Sequence, residues 1–167
     1  MEASAWADCR KTAQELKDGA ISLRGLLLDK EIPAGKLDPV LAQCKALYVG
    51  LDDIFIASEN LGGEDLDNLN TTKKAVLAFH KELWKLMTIS DQLTRTPGAL
   101  DQVLLREQRA DLADKLLGAV STYIKLLPVF SELADRQAPA SQEILADPKS
   151  PASREVDDEA SGKTATG

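Results

Sequence analysis

Trp6, Cys9, Ala13, Leu16, Ala20, Leu23 and Leu27 follow one another at alternating steps of three and four residues. Residues spaced in this way lie along one stripe of an α-helix, the face a helix buries against its neighbours. The pattern recurs in three later stretches. The second stripe runs through Leu41, Cys44, Tyr48, Leu51, Phe55 and Ser58, widened by Val40, Leu47, Ile54 and Leu61. The third takes in Leu66, Leu69, Val76, Phe79, Leu83, Leu86 and Leu93. The fourth takes in Leu105, Leu112, Leu116, Ala119, Tyr123, Leu126, Phe130 and Leu133. Stripes with coiled-coil spacing, but wider than a two-stranded coil needs, specify an all-α fold: an elongated antiparallel four-helix bundle.

Local signals divide the chain. The first helix is expected over about Ala3 to Asp29, stopping before Ile32-Pro33-Ala34-Gly35, where proline restricts its predecessor and glycine frees the turn. Asp38-Pro39 reads as a cap followed by proline in the first turn, opening the second helix, and Gly62-Gly63 reads as its end. The third helix is expected from near Asp65 to about Thr94, and Thr96-Pro97 repeats the opening signal for the fourth. Pro128 removes a backbone donor and is expected to kink or divide that helix. Short connections favour antiparallel neighbours in an up-down-up-down order. Trp6 and Trp84 both read first as core residues and second as anchors of an interface.

Residues 1–137 therefore form the expected bundle, and 138–167 a disordered acidic tail that the bundle can lose without unfolding. Pro139, Pro148 and Pro151 break up that segment, and Ile144-Leu145 is the centre of its one apolar island.

Charge and composition narrow the function classes. The 167 residues carry a net charge of −7 without a dense basic run, which argues against a nucleic-acid partner. Lys73, Lys74, Lys81 and Lys85, interrupted by Glu82, read as a solvated helix face. No stretch approaches the roughly 20 apolar residues of a membrane span. The most apolar, Leu116 to Phe130, contains Lys125 and Pro128. The first residues lack a secretory h-region, so the expected location is cytoplasmic, with Cys9 and Cys44 as reduced thiols on apolar stripes.

Chemical motifs are scarce. A di-metal carboxylate bundle needs Glu-x-x-His twice. The chain has one histidine, His80, and the residue three before it is Leu77. Neither a metal nor another cofactor is expected. Gly162-Lys163-Thr164 resembles the end of a phosphate-binding loop, but Asp157 stands where that loop needs glycine.

The fourth helix departs from a minimal bundle. Ala113, Leu117, Val120, Ile124 and Leu127 form a second stripe beside the first. Such an excess serves either a helix contacting both neighbours or a face for a partner. The leading expectation is a non-enzymatic interaction module of adaptor or scaffold type. It would bind a protein partner, or itself as a homo-oligomer, through Leu117, Val120, Ile124 and Leu127. The alternative is a bundle that carries an apolar small molecule or lipid among its aliphatic side chains. A third class, an enzyme, would have to draw on scattered polar groups such as His80, Glu82 and Tyr123.

Overall fold

A computed structural model describes residues 2–30, 34–58 and 60–138. These form four helices, α1 (Glu2–Leu28), α2 (Ala34–Ala57), α3 (Gly63–Arg95) and α4 (Ala99–Gln137), with no strand among the described residues. The all-α four-helix class expected from the stripes is the class observed. Residues 139–167, where the tail was expected, lie outside the described residues. Ala138, assigned to that tail, is instead buried with the core, and its N–H donates to the Ala134 carbonyl at 2.9 Å.

Each helix packs against two others, in the ring α1–α2–α3–α4–α1, and the two diagonal pairs do not bring their backbones together. Contacts join the beginning of one helix to the end of its neighbour. Trp6 stacks on Phe130 with ring centroids 6.2 Å apart, and Arg10 pairs with Asp135 at 2.7 Å. Arg136 pairs with Asp65 at 2.8 Å, and Lys73 with Asp52 at 2.7 Å. Lys73 Nζ also lies over the Phe55 ring, 4.3 Å from its centroid. At 1.5 Å per residue the 39 residues of α4 span about 60 Å, so the bundle is long for its width.

Several boundaries differ from the local signals. α2 begins at Ala34, and Pro39 sits inside it. Helical geometry from Ala34 puts Leu37, which is fully buried, in phase with Val40, Cys44, Leu47, Leu51 and Ile54. Burial of Leu37 outweighs the cap signal of Asp38. Gly62 and Gly63 open α3 instead of ending α2. α4 continues unbroken through Pro128, which is exposed, so water can replace the lost backbone bond.

One directional contact fixes α1 on α4. The Tyr123 hydroxyl, fully buried, donates to the Ala13 carbonyl at 2.7 Å. Burial, reinforced by Cys44 nearby, pushes its ionisation above the ordinary tyrosine range. Tyr123→Phe is expected to lower stability by about 1 kcal/mol, the usual net value of one hydrogen bond. Urea unfolding of the two proteins measures it, and equal midpoints would mean that the bond adds nothing over packing.

Candidate functional site

The second stripe of α4 does not form an open face. Val120 and Leu127 are buried in the bundle, and Leu117 and Ile124 are half-buried against it. The reason is the ring: α4 packs on both α1 and α3, and each neighbour needs its own stripe. Of the positions first assigned to the main stripe, Ala119 and Leu126 are only half-buried, while Leu116, Tyr123, Phe130 and Leu133 are fully enclosed.

The open apolar surface of α4 lies earlier. From Ala99 to Lys115 no side chain is buried. Leu100, Val103 and Leu104 are 74%, 48% and 53% exposed. Lys30 and Leu27, at the end of α1, line the same cleft as Arg106 and Arg109. The end of α1 is therefore level with these arginines, and the first two turns of α4 extend beyond it. Leu28, in the last turn of α1, is also exposed at this end of the bundle. Sequence periodicity does not separate these leucines from core ones, because Leu100 and Leu104 keep helical spacing. What distinguishes them is the unequal length of α1 and α4, 27 against 39 residues.

Trp84, expected in the core, is 55% exposed. It follows the buried Leu83, and one residue along a helix turns the side chain by about 100°. Trp84 borders a groove of about 430 Å³ between α2 and α3, floored by Leu37 and Met87. Ser90 also lines it, with a buried hydroxyl that has no hydrogen-bond partner among the described residues.

Groups with chemical potential are dispersed or committed. His80 and Glu82 lie two residues apart, about 200° around α3, and Tyr123 gives its hydroxyl to Ala13. Both cysteines are free thiols within the core. Burial, with smaller contributions from the carboxylates of Asp8 and Asp53, pushes the Cys9 thiol up to about 11. Burial pushes Cys44 up as well. Neither forms much thiolate at neutral pH, the form needed for nucleophilic or metal chemistry. Among the described residues no three His, Cys, Asp or Glu side chains converge as a metal-binding group.

α4 meets the length and hydropathy of a membrane-crossing helix, with a mean hydropathy of 1.3 over its most apolar 18 residues. This exceeds the reading from composition, which placed its apolar run short of a span. A third of that window is buried inside the bundle, and the core helix of a soluble bundle meets the same measure. No known family, no curated protein and no solved structure matches this chain.

Proposed function

We propose that the chain is a non-enzymatic protein-interaction bundle of the cytoplasm that binds through α4, in the first instance to a second copy of itself. The observation that carries this reading is the length of α4 from Ala99 to Lys115, which buries no side chain while exposing Leu100, Val103 and Leu104. Helix surface of this kind gains free energy when covered. A patch at a projecting tip is suited to two-fold pairing, in which the same residues meet from both copies. Fully covering a leucine or valine contributes about 1.5–3 kcal/mol, and association costs several kcal/mol of lost freedom. Three such side chains per copy therefore sustain a weak, concentration-dependent dimer. The buried thiols suit a reducing compartment.

Light scattering across a concentration series tests the proposal. The wild type is expected to rise above the 18.0 kDa of one chain as concentration increases. A Leu100→Glu, Leu104→Glu variant is expected to stay at that mass with its thermal midpoint unchanged. A wild type that is monomeric throughout, or a variant that still associates, refutes self-association through this surface.

A further inference from the structure

We propose that the cleft between the end of α1 and the first half of α4 binds a phosphate monoester, held by Lys30, Arg106 and Arg109. The cleft encloses about 240 Å³, with Leu27 and Ala113 among its apolar walls and one carboxylate, Asp114, on its border.

Charge is the first observation. In a chain of net charge −7, none of the three cations has a carboxylate within ion-pairing distance among the described residues. Of the other described arginines, Arg10, Arg95 and Arg136 are paired with carboxylates and Arg24 is not. Arg106 instead donates from Nη2 to Gln102 Oε1 at 3.4 Å. Like charges around one cleft repel, and an anion seated among them turns that repulsion into attraction. Three cations against Asp114 leave two positive charges, matching a phosphate monoester, which carries about −1.5 to −2 at neutral pH.

Geometry is the second. Arg106 and Arg109 are three residues apart and so share one face of α4. Guanidinium groups present paired donors that fit phosphate oxygens, and a lysine adds a compact charge. The apolar walls accommodate the organic part of an ester.

The backbone of Lys30 is the third. Its φ is +60°, the left-handed region, and its N–H donates to the Leu27 carbonyl at 3.0 Å. This is the position after a helix end where glycine is ordinarily found, because a Cβ there is unfavourable. A lysine at this site bears that cost and sets its cation at the cleft.

Phosphate monoesters come from two sources here. A soluble ester fills the cleft alone, whereas a phosphatidic acid headgroup brings acyl chains against the exposed Leu28, Leu100 and Leu104 at the same end. Full-length protein is therefore titrated with glycerol 3-phosphate by calorimetry and floated with phosphatidylcholine vesicles containing phosphatidic acid, using pure phosphatidylcholine vesicles as control. Binding of glycerol 3-phosphate assigns the soluble source, and flotation confined to phosphatidic acid vesicles assigns the lipid. In either case Lys30→Gly and Arg109→Gln are each expected to weaken binding about tenfold, the loss of one charge-assisted contact. Lys30→Gly relieves the left-handed backbone and is expected to raise the thermal midpoint by a few degrees. Weaker binding by that variant then cannot arise from unfolding. Failure of both probes at millimolar concentration, or wild-type binding by both variants, overturns the proposal.

Discussion

Leu51→Ala and Leu116→Ala are each expected to lower the free energy of unfolding by about 2–5 kcal/mol, the range for deleting a buried leucine side chain. Both side chains are fully buried, one on α2 and one on α4. Each variant loses the transfer free energy of its removed atoms and leaves a cavity that its neighbours fill only in part. Their helices are diagonal in the ring with backbones apart. The two residues also sit at different levels, Leu51 next to the Gly50–Cys9 contact and Leu116 two turns from Tyr123, so the losses are expected to add in the double variant. Urea denaturation of the two single variants and the double variant measures both quantities. Losses near zero would mean that these positions collapse freely or that the helix faces are misassigned.

Gly50→Ala is expected to destabilise the bundle by about 1–3 kcal/mol, although alanine is favoured over glycine in a helix by about 1 kcal/mol. A Cβ placed on Gly50 stands 2.7 Å from Cys9 Sγ, closer than real atoms approach. Cys9 is itself buried, so its sulfur has little space into which to move. The same seam is tight again about 15 Å along, where a Cβ on Gly19 stands 3.3 Å from Val40 Cγ2. Cys9→Ala removes the obstructing sulfur. In the Cys9→Ala background, Gly50→Ala is therefore expected to be neutral or stabilising. Thermal or urea unfolding of the four proteins completes the cycle. Additive effects would show that Cys9 is not the obstacle.

Helix number, class and much of the core are legible in the sequence because burial repeats along each helix with the helix's own period. Every residue of the first stripe, from Trp6 to Leu27, is buried. The second helix shows where that legibility stops. Its wide stripe mixes the two kinds of position: Cys44 and Leu51, with Val40, Leu47 and Ile54 beside them, are buried, while Leu41, Tyr48, Phe55 and Leu61 are only partly covered. Periodicity fixes a direction to within about one residue, and the neighbours on either side decide the remaining rotation. The same limit applies to Val120 and Leu127, whose enclosure depends on α4 having two partners. The cleft of Lys30, Arg106 and Arg109 joins residues far apart in the chain, and no local pattern marks it. Leu100 and Leu104 are exposed because α1 has ended, a matter of relative length that stripe positions alone do not encode.

The ring of helices has consequences for the order in which it is built. Three of its four seams join helices that follow one another in the chain, so each forms by closing a short loop. The α1/α4 seam joins residues as distant as Arg10 and Asp135, 125 positions apart, and chain entropy favours it least. That seam holds the buried Tyr123 hydrogen bond, the Trp6–Phe130 stack and the Arg10–Asp135 pair. Aliphatic surfaces tolerate sliding by a turn, whereas a hydroxyl aimed at one carbonyl does not. The directional contacts thus lie where connectivity gives the least guidance, and they select a single register as the last helix docks on the first.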